Sequence, residues 1–220
     1  IEIENAYSSE TTFSKEIKLN KIIEISNQIK NSSWLMSGLN YQNSLGNIFL
    51  PGSENLFMKE KVGKNKFSLS KIKISPLVHN NNIFFSDNKG SIFNINQAGD
   101  IIWKINIYKK VYKKIFKKLS ISIYNNNIYV TDNLGLIYSI SINTGKVIWI
   151  KNHGIPFKSK IKVYENKIFA VNQDNRILCF SIKDGLTIWN IRTISSFIKS
   201  QNLLSLAISK QGDLIASNSS

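Results

Sequence analysis

A pentad of the form Gly-x-x-x-Trp occurs three times: Gly99-Asp100-Ile101-Ile102-Trp103, Gly145-Lys146-Val147-Ile148-Trp149 and Gly185-Leu186-Thr187-Ile188-Trp189. The tryptophans lie 46 and then 40 residues apart. A period in that range means a fold built by stacking one supersecondary unit on the next. Twenty or twenty-one residues before each Trp stands a short apolar run, Ile83-Phe84-Phe85, Ile128-Tyr129-Val130 or Ile168-Phe169-Ala170. A turn cluster precedes each run: Asn80-Asn81-Asn82, Asn125-Asn126-Asn127 and Glu165-Asn166-Lys167. Asn tolerates positive φ, so these clusters predict tight two-residue hairpins.

A second turn follows each run, Asp87-Asn88-Lys89-Gly90, Asp132-Asn133-Leu134-Gly135 and Asn172-Gln173-Asp174-Asn175, the last with Asn175 in the Gly position. A third apolar run and then the Trp-bearing run complete the unit. With the run ahead of each Asn turn, every unit has four short strands rich in Ile, Val, Tyr and Phe, residues suited to pleated, half-buried positions. Four antiparallel strands per unit predict the blade of an all-β propeller. A blade has two faces to cover, so Gly99, Trp103, Gly145, Trp149, Gly185 and Trp189 are expected to dock each blade on its neighbour.

The predicted organisation is an extended N-terminal arm and lead-in segment over residues 1–45 and a partial propeller over 46–220. Within the propeller, the blades run over about 46–70 (degenerate, with Phe57 in the Trp position), 71–107, 119–151, 159–192 and 203–220. The last of these stops in mid-blade, in Asp213-Leu214-Ile215-Ala216-Ser217-Asn218. The sequence is therefore expected to hold about three full blades plus partial ones, from a ring of roughly 7–8. It starts at Ile1 without a Met or a secretory leader, which says nothing of compartment in a cut chain.

Charge narrows the function less than its size suggests. The net charge is +15, from 29 Lys and Arg against 14 Asp and Glu. That excess is of the kind that draws nucleic acid or anionic membranes. Yet only Arg176 and Arg192 are arginines, and Arg, not Lys, is the planar bidentate reader of phosphates and bases. With 37 Ile and 28 Asn alongside, the lysines read as a compositional drift spread over solvated surface. No apolar stretch is long enough for a membrane helix. A single cysteine, Cys179, excludes a disulfide framework and a Cys-based zinc cluster in this chain. Cys179 reads as a small buried hydrophobe, and His79 and His153 as turn residues. Turn chemistry also accounts for Asp87, Asp132, Asp174 and Asp184, which repeat at equivalent positions.

Asn143-Thr144-Gly145-Lys146-Val147-Ile148-Trp149 resembles the repeat of the quinoprotein-like (PQQ-like repeat) propellers, over about residues 74–218. Within that family, the stretch from Asn166 through Asn172-Gln173-Asp174-Asn175-Arg176 to Ile177 is similar to the BamB-type outer-membrane assembly lipoproteins. So is the lead-in Trp34-Leu35-Met36-Ser37-Gly38-Leu39-Asn40-Tyr41-Gln42-Asn43, which resembles that of alphaproteobacterial members. The resemblance implies a non-catalytic periplasmic scaffold at the outer membrane that uses no cofactor. Its partners would be the barrel-assembly protein and its substrates, with peripheral membrane contact in a full-length lipoprotein. It also implies a partner-contact loop at Asn172, Asp174 and Arg176. The alternative in the same family is a PQQ-dependent dehydrogenase whose catalytic part is missing here. Such an enzyme needs a carboxylate base, a Ca²⁺ site and, in many members, a vicinal Cys pair.

The most concentrated charge is Tyr108-Lys109-Lys110-Val111-Tyr112-Lys113-Lys114-Ile115-Phe116-Lys117-Lys118. As a helix it would set Lys109, Lys110, Lys113, Lys114, Lys117 and Lys118 against an apolar face of Val111, Tyr112, Ile115 and Phe116, an amphipathic segment that can lie on anionic lipid. As a loop its lysines are solvated and its apolar residues tuck onto the blade. Its aromatics permit stacking on single strands, but no nucleic-acid motif accompanies them, so nucleic acid is not an expected partner.

Overall fold

The computed structural model describes residues 24–50, 58–59, 62–63, 75–193 and 204–217. Two of the hairpin turns hold both central residues in left-handed backbone, Asn80 and Asn81 (φ 47° and 62°) and Glu165 and Asn166 (φ 44° and 59°). The twist of such a turn matches that of the strands it joins. The second turn in each unit is an Asx turn. Asp87 Oδ1 accepts from the N–H groups of Lys89 and Ser91, Asp132 Oδ1 from Leu134 and Leu136, and Asn172 Oδ1 from Asp174 and Arg176. Gly90 and Gly135 close these turns at φ 84° and 86°, and Asn175 does so at 56°.

These turns fold the chain into three four-stranded antiparallel sheets and a two-stranded one. The first blade holds β1 (Leu77–His79), β2 (Asn82–Ser86), β3 (Ile92–Ile95) and β4 (Ile101–Ile105). The second holds β5 (Leu119–Tyr124), β6 (Asn127–Asp132), β7 (Leu136–Ser141) and β8 (Val147–Asn152). The third holds β9 (Lys162–Tyr164), β10 (Lys167–Val171), β11 (Arg176–Ser181) and β12 (Thr187–Arg192), and β13 (Leu206–Ile208) and β14 (Leu214–Ala216) begin the fourth. Strand order in each full sheet follows the sequence. The first strands contact one another from blade to blade and form the inner edge. The last strands are the outer edge and carry exposed residues. The molecule is all-β, with successive blades of a β-propeller.

Alternation along the strands builds the core between blades. Ile128 and Val130 pack toward the first blade with Leu77, Phe84 and Ile92, whereas Tyr129 between them packs toward the third with Val163, Ile168 and Ala170. One blade on, Phe169 and Val171 face the fourth blade with Leu204, Leu206 and Ile208. A period of two therefore sends neighbouring residues to opposite interfaces. Cys179 is fully buried in the third of these layers, and burial pushes its thiol up to about 11, away from nucleophile chemistry.

Residues 1–23, most of the stretch assigned to a degenerate blade (Phe57 included) and Asn218 lie outside the described residues. Within that stretch, Ile48 forms a parallel bridge with Ile29.

Candidate functional site: the axial strap and the basic loop

The pentads lock blade to blade with an offset of one unit. The Trp103 indole Nε1 donates to the Ile142 carbonyl of the next blade (2.8 Å), and Trp149 Nε1 donates to Ile182 (3.0 Å). The rings lie on glycines of the next blade. A Cβ on Gly145 would stand 2.8 Å from the Trp103 ring, and one on Gly185 would run into the Trp149 ring. Both glycines also have positive φ (68° and 71°). Each Trp is backed within its own blade by an aromatic from the second strand, in the pairs Phe84–Trp103, Tyr129–Trp149 and Phe169–Trp189. Gly99 has φ 92° and closes its own turn through Asn96.

Residues 34–43 cross the inner edges of all four blades as a strap. Trp34 exchanges two backbone hydrogen bonds with Val78 on β1, and Ile123 N–H on β5 donates to the Leu35 carbonyl. On the fourth blade, Ile208 N–H donates to the Tyr41 carbonyl and Asn43 Nδ2 donates to the Leu206 carbonyl. Strand pairing makes Val78, Ile123, Val163 and Ile208 equivalent positions. The strap thus meets the same backbone position on the first, second and fourth blades.

At the third blade the strap turns away, with Gly38 and Leu39 both at positive φ (79° and 72°). The turn aims its carbonyls inward, and Lys162 fills the place of the backbone bond. Its Nζ donates to Ser37 O (2.5 Å), Asn40 O (2.7 Å) and Asn43 Oδ1 (2.6 Å). Lys162 is 1% exposed. Tyr41 packs on Tyr164 of the same strand, ring centroids 4.8 Å apart.

Burial lowers the Lys162 ammonium from 10.5 to about 8. In the unfolded chain it titrates near 10.5, so between about 8 and 10.5 the unfolded state binds more protons than the folded one. Stability should therefore rise with pH through that window, with the full desolvation penalty present below it and absent above it. Urea denaturation at pH 7.5 and pH 10 is expected to favour the native protein at the higher pH relative to Lys162→Met. An opposite slope would contradict the assignment.

The lysine run is neither the amphipathic helix nor the tucked loop that the sequence allows. It forms one turn of 3-10 helix (Lys110–Lys114) between extended residues Lys109 and Ile115. Lysines three and four apart repel along an α-helix, and no acidic residue occupies the first turn. Val111 is 82% exposed, and Tyr112 and Ile115 are also exposed. Lys109, Lys110 and Lys114 face solvent and Lys118 is half-buried. Lys117, expected among the surface cations, instead turns inward and is 2% exposed. Its Nζ donates to the Tyr112 carbonyl and lies 5.2 Å from the Tyr108 ring centroid, drawn by the Asp87 and Asp132 carboxylates. The Tyr108 hydroxyl donates to Asp132 Oδ2 (2.5 Å), tying the loop to the second blade, and burial raises both of these groups' proton affinities.

In the 172–176 turn, Asn172 is buried and its side chain is used within the turn itself. Arg176 donates through Nη1 to Asn190 on the outer strand (2.9 Å). The turn is held against the preceding loop by Gln173 N–H donating to the Pro156 carbonyl. His153 packs on Phe180, and burial lowers its proton affinity. Among the described residues, no three His, Cys, Asp or Glu side chains come together as a metal site. No helix among them is long and apolar enough to cross a membrane.

The sequence profile of the family described as outer membrane protein assembly factor BamB matches residues 88–219, more than half of the chain. The chain belongs to this family. No curated protein sequence matches it. Among solved structures, the BamB-family chain is similar to a quinohemoprotein alcohol dehydrogenase, ADHIIG, from Pseudomonas putida HK5 (13% identity, TM-score 0.55, covering 75% of this chain and 27% of that one). It is also similar to the computationally designed Ika8 protein (12%, 0.50, covering 70% and 48%) and to BamB from Moraxella catarrhalis (14%, 0.46, covering 56% and 35%). It spans between about a quarter and a half of the lengths of these three proteins. At such identities the dehydrogenase match speaks for the propeller fold alone.

Sequence reasoning missed Lys162 and Tyr108 in this BamB-family chain. A signal for Lys162 existed: strand pairing places it level with Leu77, Ser122 and Ala207 on the other blades, so it is a lone cation at an inner-edge position. Tyr108 carried no such mark, because its partner Asp132 had already been explained by the turn it caps.

Proposed function

We propose that this BamB-family chain is part of a non-catalytic periplasmic scaffold that assists assembly and insertion of β-barrel proteins into the outer membrane through protein–protein contacts. The family match over residues 88–219 carries this reading. Two structural features support it. The inner edge of the blades is occupied by the chain's own strap, which directs partner contacts to the loops and the outer edge. On that outer edge β4, β8 and β12 are each paired on one side only among the described residues. They present Ile102, Ile148 and Ile188, about half exposed, at equivalent positions.

A half-paired strand with apolar side chains can take an extended segment by β-augmentation. The partners are the barrel-assembly protein and its unfolded substrate strands. Asp174 and Arg176 flank the outer edge as a contact loop, and Lys109, Lys110 and Lys114 provide a peripheral contact with anionic membrane. Affinity purification of the tagged full-length protein is expected to recover a barrel-assembly component. Ile148→Lys with Ile188→Lys should weaken that recovery without unfolding the blades. Recovery of no such component with the native protein would overturn the proposal.

A further inference from the structure

We propose that a cleft between the first and second blades binds a phosphate group, held by the ammonium groups of Lys118 and Lys160. The cleft is lined by Ser86, Asp87, Lys117, Lys118, Ser120 and Lys160. Among the described residues of its lining, three lysines face one carboxylate. Lys117 has the Tyr112 carbonyl as acceptor and Asp87 and Asp132 as opposite charges. Asp87 also accepts through Oδ1 from two backbone N–H groups of its own turn. Among the described residues, neither Lys118 nor Lys160 has an acceptor for its Nζ, although both are half-buried.

A cation in that setting is disfavoured unless an anion accompanies it. Burial accordingly lowers the Lys160 proton affinity. The remaining donors suit an oxyanion. The Ser120 Oγ accepts from Ile161 N–H (2.8 Å), which leaves its own hydrogen to donate elsewhere. The Lys118 backbone is anchored by its N–H donating to Asn133 Oδ1 (2.8 Å), so its side chain leaves from a fixed point beside the cleft. Two uncompensated ammonium groups match a phosphate monoester or inorganic phosphate, which carries close to two charges at neutral pH. A carboxylate, with one charge, would leave one ammonium unmatched. This site is independent of the scaffold reading.

The test is calorimetric titration of the full chain with inorganic phosphate, at ionic strength held constant with chloride, with acetate as the comparison anion. Flotation with phosphatidic acid vesicles, against phosphatidylcholine alone, is a second arm that separates a headgroup from a soluble ligand. Phosphate should bind more tightly than acetate, and Lys118→Gln with Lys160→Gln should weaken it about tenfold or more. The fold of the variant is checked by circular dichroism, and Lys160→Arg, which keeps the charge, should retain binding. Vesicle binding that free phosphate displaces and the double variant abolishes would identify a lipid source, and binding of free phosphate alone a soluble one. Absence of phosphate binding in both arms, or binding unchanged in the double variant, would overturn the proposal.

Discussion

Lys162→Met is expected to lower the stability of this chain by about 2–4 kcal/mol, because it takes the shared donor from three part-buried acceptors while keeping the buried apolar stem. Ser37 O, Asn40 O and Asn43 Oδ1 all take their hydrogen bond from this one ammonium. Part of the loss is offset, since methionine no longer holds a charge away from water. The effect should be local in character. Ile123 and Ile208 N–H groups donate to the strap on either side of the lysine, so their hydrogen exchange should quicken more than that of mid-blade strands such as β7. A variant within about 0.5 kcal/mol of the native protein, with unchanged protection at those two amides, would show that the strap does not depend on Lys162.

The second large effect is expected at the joint between the second and third blades. Trp149→Ala removes a ring that packs against Tyr129 and over Gly185, together with the bond to the Ile182 carbonyl. The expected loss is about 3–5 kcal/mol. Gly185→Val attacks the joint from the other side. Its Cβ has no room beside the ring, and φ of 71° strains a β-branched residue, for a loss of about 2–4 kcal/mol. The two residues act on one contact, so Gly185→Ala should cost less in the Trp149→Ala background than in the native protein. A double-mutant cycle measures the difference. Additivity to within about 0.5 kcal/mol would mean that ring and glycine are not coupled.

The blades were legible because their determinants are local and repeated. Asn-rich hairpins, Asx turns closed by Gly or by Asn175, and alternating β-branched and aromatic residues all act within a few positions. The pentad announced a blade-to-blade contact, but its offset was not readable. Trp103 meets Gly145 rather than its own Gly99, a relation fixed by how blades stack. The strap was visible only as a segment with a familiar sequence. Its path depends on hydrogen bonds between residues more than a hundred positions apart, such as Lys162 with Ser37. The lysine run misled for a related reason. Its pattern fits an amphipathic helix, yet the direction of Lys117 is decided by two carboxylates from other turns.

The strap also works as a ruler. Ten residues, Trp34 to Asn43, reach from the first blade to the fourth and meet the same backbone position on three of them. A backbone segment of fixed length cannot adjust to a blade added or removed beneath it. Duplication or loss of one unit, the ordinary way in which repeat arrays grow and shrink, would preserve every Trp–Gly joint and still put Tyr41 and Asn43 opposite the wrong strand. The pentads make the blades interchangeable in principle, and the strap counts them.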